Sequence, residues 1–178
     1  DLRMSRGLGD VYKRQELKRA LAAEAQAKGI CSEWYSFILR ATSKERLLTL
    51  FVKGLDFVFD NDFPSAELRA EFRGLHEHYG VFIDEPFSVA DMRRIVAFGT
   101  SEGKARFSGF CAAQVWARDD TKLVVEVEDN AFVCIDITSR TKVEITASGT
   151  AKVTVFQHGG ECINRASGNA NIKVIDKR

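Results

Sequence analysis

The chain has little proline, no excess of charge of either sign and no long apolar segment. Only two prolines occur in 178 residues, and 26 Lys+Arg face 25 Asp+Glu, which leaves a formal net charge of +1. This balance lacks the basic surplus with which proteins bind nucleic acid or anionic membranes non-specifically. No apolar run approaches the roughly 18 residues of a membrane span, and the N-terminus lacks the apolar core of a secretory signal. We therefore expect no nucleic-acid or membrane partner, and a cytoplasmic location.

Motifs for metal, nucleotide or nucleophilic chemistry are also missing. Cys31, Cys111, Cys134 and Cys162 have no CxxC spacing, so we expect reduced thiols rather than metal ligands or disulfides. The sequence contains no GxSxG motif and no phosphate-binding glycine loop. The histidine cluster at residues 76–78 lacks the HExxH spacing of zinc sites and is expected to be a solvated helix end. We predict no cofactor, no metal site and no catalytic residues.

Residues 16–92 carry a helical pattern. Strong helix formers fill Glu16–Lys28 and stop at Gly29, a residue that favours helix C-termini. Ser43 can cap a helix whose apolar residues continue to Val58, and the Pro64–Ser65 pair can open another. Residues 88–92 are expected to form one helical turn. The apolar faces of these helices predict a helical domain over residues 16–92.

From Arg93 onward, apolar and polar residues alternate, which is typical of β-strands. The same inward-facing triplet returns eight times, about every nine residues, and this spacing suggests an internal repeat. The triplets are Ala105/Phe107/Gly109, Ala113/Val115/Ala117, Leu123/Val125/Val127, Ala131/Val133/Ile135, Thr141/Val143/Ile145, Ala151/Val153/Val155, Gly160/Cys162/Asn164 and Ala170/Ile172/Val174. Asn164 stands where an aliphatic residue is expected, which predicts either a hydrogen-bonded buried amide or a register slip nearby.

A strand unit this short cannot bury its own apolar face, but stacked units form a continuous core. We therefore predict an α+β protein whose residues 93–178 form a β-solenoid of about eight strand units. Two units per coil would give about 19 residues per coil and three about 28, and the sequence does not choose. The competing interpretation is a meander of antiparallel strands in a sandwich or barrel.

Four residues are candidates for a surface binding site. Trp116 and Phe132 lie between inward positions and should face outward, where they could bind a sugar or a partner or dock the helical domain. Asp119 and Asp120 are paired carboxylates, the residue type that glycoside cleavage requires. Adjacent acidic residues at a turn are more often an ordinary solvated loop.

The chain shows three resemblances to known sequences. Residues 1–15, and Gly7–Gln15 in particular, resemble a translated sequencing-adapter scar, which implies a metagenomic source and an artefactual or disordered tail. The period and composition of Arg93–Asp176 resemble bactofilin-type β-solenoids. Through the stretches Ala23–Cys31 and Asn130–Ile137, the whole chain resembles proteins of gut Bacteroidales and their phages or mobile elements, a resemblance that implies no particular activity or catalytic residues.

These observations favour a non-enzymatic structural or protein-interaction module of microbial or phage origin. Open solenoid ends expose sheet edges, so we expect self-association or a protein partner. The alternative is a carbohydrate-binding or carbohydrate-cleaving β-helix protein, and a weaker one is a small regulator or inhibitor from a mobile element. The expected location is the cytoplasm of a bacterial host, or a virion.

Overall fold

The computed structural model describes residues 2–75 and 79–178, with side chains from Lys13 onward. The chain divides into a helical unit that ends at Phe72 and a β unit that begins at Arg73. All strand pairs of the β unit are parallel and stack into a solenoid. The predicted fold class, helices followed by a C-terminal β-solenoid, is confirmed. The histidine cluster at residues 76–78 lies outside the described residues.

Five helices form the helical unit. They are α1 (Leu2–Ala27), α2 (Ser32–Arg40), α3 (Lys44–Lys53), α4 (Leu55–Asp60) and α5 (Ala66–Ala70). Helix α1 runs back through the segment that we expected to be a disordered tail. The adapter origin of that segment stays a prediction.

Local sequence explains where these helices begin and end. The Ser43 hydroxyl accepts a hydrogen bond of 3.1 Å from the Arg46 amide, as predicted for an N-cap. The apolar spacing from Leu47 to Val58 suggested one helix, but Gly54 divides it into α3 and α4. Glycine is a weak helix former, so a break there is inexpensive.

A buried lysine joins two helices of this unit. Leu17, Leu21 and Ala25 of α1 are buried, and Lys18 is buried beside them. The Lys18 ammonium donates hydrogen bonds of 2.9 Å to the carbonyl oxygens of both Leu39 and Ala41. These carbonyls lie at the C-terminus of α2, where the negative end of the helix dipole attracts a cation.

Eleven strands form the β unit. They are β1 (Val81–Ile83), β2 (Pro86–Ala90), β3 (Arg94–Phe98), β4 (Glu102–Phe107), β5 (Ala112–Ala117), β6 (Lys122–Val127), β7 (Phe132–Ile137), β8 (Lys142–Ala147), β9 (Lys152–Gln157), β10 (Glu161–Ala166) and β11 (Asn171–Asp176). Odd strands form one sheet in the order β1-β3-β5-β7-β9-β11, and even strands form the other in the order β2-β4-β6-β8-β10. Two strands therefore complete each coil, which resolves the question that the sequence left open.

The central coils advance by twenty residues. Val115 pairs with Ile135 in the odd sheet, and Val125 pairs with Ile145 in the even sheet. Inward side chains from both sheets form one buried core, and outward positions are largely exposed. The strict alternation follows from the two-residue period of a strand whose one face is buried.

Two details of the predicted register were wrong. The first triplet is placed four residues too late and the next two are each placed two residues too late, because the corner residue of these units is the one just before the strand: Ser101, Cys111 and Thr121. Gly109, predicted to face inward, is a turn residue with φ of +61°, and Gly103 takes an inward position instead. Residues 88–92, predicted as a helical turn, lie mostly in β2, so the solenoid begins at Val81 rather than at Arg93.

The corners of the coils repeat a tight turn. The left-handed backbone conformation recurs every ten residues, at Gly99, Gly109, Asp119, Asp129, Ser139 and Gly149. On one side, buried hydroxyls support these turns: Ser101, Thr121 and Thr141 each donate to the carbonyl three residues earlier, over 2.7–2.8 Å. These bonds satisfy polar groups that the stacking of the coils removes from water.

Candidate functional site

The structure separates the four candidate residues into two places. Trp116 is the last outward residue of β5, and Asp119 and Asp120 form the turn that follows it. Phe132 begins β7 and pairs with Ala112, at the opposite end of the odd sheet's outer face. Four residues of strand separate the levels of Trp116 and Phe132, about 13 Å at the rise of an extended chain. The two aromatic residues therefore do not form one site.

Both carboxylates of the turn serve the scaffold. Asp119 Oδ2 accepts a hydrogen bond of 2.9 Å from the Gly99 amide on the preceding coil. Asp120 forms a two-pronged ion pair with Arg140 on the next coil, at 2.7 and 2.8 Å. The hydrogen bond from Arg140 holds the pKa of Asp120 below its usual range. Asp120 therefore lacks the raised pKa that a general acid needs.

Of the aromatic side chains that the structure describes, the most exposed is one that the sequence did not lead us to select. Phe110 is 87% exposed, against 45% for Phe132, whereas Trp116 is half-buried. Phe110 and Phe132 lie near the same corner, since the Phe132 amide donates to the carbonyl oxygen of Cys111. Assigning Gly109 to the core hid this residue. The signal was available, because the residue after a left-handed turn glycine lies at the outer corner.

The four cysteines are free thiols. Burial raises the pKa of Cys111, Cys134 and Cys162, and the carboxylates of Asp91 and Asp136 add to the effect on the first two. A raised pKa lowers the fraction of reactive thiolate. In the part of the chain that the structure describes, no group of three or more His, Cys, Asp or Glu side chains could hold a metal ion.

The last coil differs from every coil before it. We call β10 and β11, residues 161–176, the terminal rung. Among residues 2–75 and 79–178, no strand pairs with the outer edge of either strand. Inward-facing Cys162 and Ile172 are only half-buried, and Val174 is 38% exposed. The rung therefore leaves core residues and main-chain groups uncovered.

Polar residues occupy some inward positions of the terminal rung. Asn164 keeps its inward position beside Ile145 but is exposed, so the amide does not need a buried partner. The coil shortens to 19 residues, with Cys162 beside Val143, and the one-residue change falls at the turn around Gly160. Asp176 lies beside Gln157 at the end of its column, and its pKa is lowered by hydrogen bonds from Arg178.

This geometry places the chain in the class of proteins with a helical unit followed by a two-sheet, all-parallel β-solenoid. Comparisons with protein-family models, curated proteins and solved structures found no match to the chain. None of the described helices is both long enough and apolar enough to cross a membrane.

Proposed function

We propose that this protein is a non-enzymatic structural or protein-interaction module that associates with itself through its solenoid. The observation that carries this proposal is the terminal rung, with its two unpaired strand edges and its partly exposed core residues. A bacterial cytoplasm, or a phage particle assembled there, is the proposed setting.

Physical chemistry supports this role for the rung. An edge strand offers unpaired amides and carbonyls in register, and a second chain can pair with them. Proteins that avoid such pairing use charge or proline at the edge. β10 carries Glu161 and Arg165 and β11 carries Lys173 and Asp176, so neither edge has charges of a single sign that would repel a second copy, and neither strand contains proline. Pairing would also cover Ile172 and Val174, which favours association through the hydrophobic effect.

A charge placed on the terminal rung tests this proposal. Val174→Lys should abolish concentration-dependent association, because an ammonium group would have to be buried between two copies. Val124→Lys is the matched control: Val124 is 37% exposed, almost the same as Val174, but it faces outward in the middle of the even sheet. The measurement is the molar mass of the full chain by sedimentation equilibrium over a concentration series. A wild-type chain that stays monomeric, or a Val174→Lys variant that associates normally, contradicts the proposal.

Carbohydrate cleavage receives less support from the site. Asp119 and Asp120 are both engaged by scaffold groups, as described above. We expect Asp119→Asn to lower the melting temperature, and we expect neither the variant nor the wild-type protein to cleave polysaccharides. Release of reducing ends from a panel of polysaccharides by the wild-type protein, lost in Asp119→Asn, would favour the enzyme instead.

A further inference from the structure

We propose that two copies of this chain join tail to tail as a closed dimer, with β10 antiparallel to its own copy and Ile163 on the two-fold axis. This proposal rests on the proposed self-association and specifies its geometry. It differs from a filament, because one end of the solenoid is used and the other is not.

The two ends of the solenoid are not equivalent. The terminal rung presents two strands of six residues, whereas the first rung has a strand of three (β1) and one of five (β2). All three side chains of β1 are buried, including the outward-facing Val81 and Ile83. The first rung therefore matches the terminal rung neither in length nor in exposure. Two terminal rungs match each other.

Topology fixes the strand direction in such a dimer. A two-fold axis that brings two solenoid tails together reverses the stacking direction, so the joined strands run antiparallel. Antiparallel partners also bond more favourably per residue than parallel ones. An isologous contact of this kind closes on itself and stops at two copies.

Main-chain geometry determines which residues of β10 are available. The Glu161 amide donates to Thr141, and the Ser167 amide donates to Ala147, both on the preceding coil. Successive residues of a strand alternate in direction, so the amides and carbonyls of Cys162 and Asn164 point to the open edge. Centring the antiparallel pair on Ile163 places Cys162 opposite Asn164 of the second copy as a hydrogen-bonded pair.

The outward side chains then complement one another. In this register Ile163 meets its own copy, and Glu161 lies opposite Arg165 of the second copy, twice by symmetry. These are non-hydrogen-bonded positions, where opposing side chains come closest. Ile163 is 57% exposed in the single chain, although it is aliphatic.

In the single chain, Glu161 and Arg165 make little electrostatic use of their charges. Glu161 is 3.7 Å from Lys142 and largely exposed. Arg165 lies beside Thr146, which has no charge to offer it. A second copy would give Arg165 a carboxylate and cover Ile163. The charge pattern of β10, negative at one end and positive at the other, is thus self-complementary only for an antiparallel partner.

Charge reversal tests the register. Glu161→Arg and Arg165→Glu each place like charges opposite one another twice, and each should weaken homodimerisation about tenfold or more. An equimolar mixture of the two variants should form a heterodimer of near wild-type stability. In that heterodimer, each of the two charge pairs joins an arginine of one chain to a glutamate of the other. The double variant should homodimerise like wild type. Glu144→Arg, the same change one coil away from the edge, is the control and should have no effect.

The readout is sedimentation equilibrium of the full chain, with circular dichroism to verify folding. Restored dimerisation in the mixture also excludes misfolding of the single variants. If wild type dimerises but both single variants dimerise equally well, this register is overturned and the proposed function survives. If wild type forms filaments or larger assemblies, the closed dimer is overturned. If wild type remains monomeric, both proposals fail.

Discussion

Substituting aspartate for one buried valine should strongly destabilise the β unit, while the same change at the preceding residue should not. Val125 is fully buried, between Ala105 and Ile145 in its sheet. Replacing it removes about 1.5–3 kcal/mol of hydrophobic burial. A buried carboxyl group without partners costs about 1–3 kcal/mol more even when protonated. The summed loss of about 2.5–6 kcal/mol is a large part of a total stability of about 5–15 kcal/mol, so the urea midpoint of the β unit should fall sharply.

Val124→Asp is the matched control, because Val124 faces outward on the same strand. Its neighbours in register are Lys104 and Glu144, one of each charge, so their effects on a new carboxylate largely offset. We expect a change within about 0.5 kcal/mol, as for other surface substitutions.

The assay can use the two tryptophans, since one lies in each unit. In a Trp34→Phe background, Trp116 alone reports on the β unit during urea unfolding. In Val125→Asp, burial would raise the pKa of the introduced carboxyl group above its unfolded value of about 3.9. The folded state then binds more protons, so the stability of this variant should fall as pH rises above about 4. Equal midpoints for Val125→Asp and Val124→Asp would refute the inward and outward assignment of this strand.

Three further predictions concern a turn, a helix junction and an ionised group. Gly160→Ala should destabilise the β unit strongly, because Gly160 has φ of +73° and a Cβ would clash with the backbone of the preceding coil. The control is Gly109→Ala, whose Cβ would meet no atom and which should cost about 1 kcal/mol. Equal urea midpoints for the two variants would contradict this prediction. Lys18→Met should cost the helical unit about 1–3 kcal/mol through its two lost hydrogen bonds, while exposed Arg19→Met should not, and a melt showing no difference would count against the buried cap. A backbone amide and a guanidinium hold the pKa of Asp84 below its usual value, so its stabilisation is complete above about pH 4 and is lost as pH falls through the lower folded value. Asp84→Asn should remove that part of the acid limb in unfolding curves between about pH 2 and 4, and an unchanged limb would be evidence against it.

The solenoid was predictable because its signal is periodic and strong. Val133, Val143 and Val153 were assigned to inward columns, and all three are buried. The triplet alignment failed over the first three units, because Ser101 and Cys111 do not look like members of the small-residue column and Thr121 was passed over in favour of Leu123. A polar side chain is tolerated at Ser101 because its hydroxyl bonds to the Phe98 carbonyl at 2.8 Å.

Other features could not be predicted from local patterns. The start of the solenoid was missed because β1 is only three residues long and because residues 88–92, which overlap β2, were predicted to form a helical turn. The number of strands per coil depends on which strands pair, and pairing is a long-range property. The candidate site was less predictable still: Asp119 looks like a catalytic or solvated carboxylate until its bond to Gly99 is visible.

The even stride of the central coils means that the molecule's length is adjustable. Removing residues 121–140 would join Asp120 to Thr141, which has the same place in its coil as Thr121, and both hydroxyls make the same bond to the turn before them. The chain could then close one coil shorter with each column unbroken. A gene for such a protein can gain or lose blocks of twenty codons, so that selection can set the number of coils separately from the structures at the two ends of the solenoid.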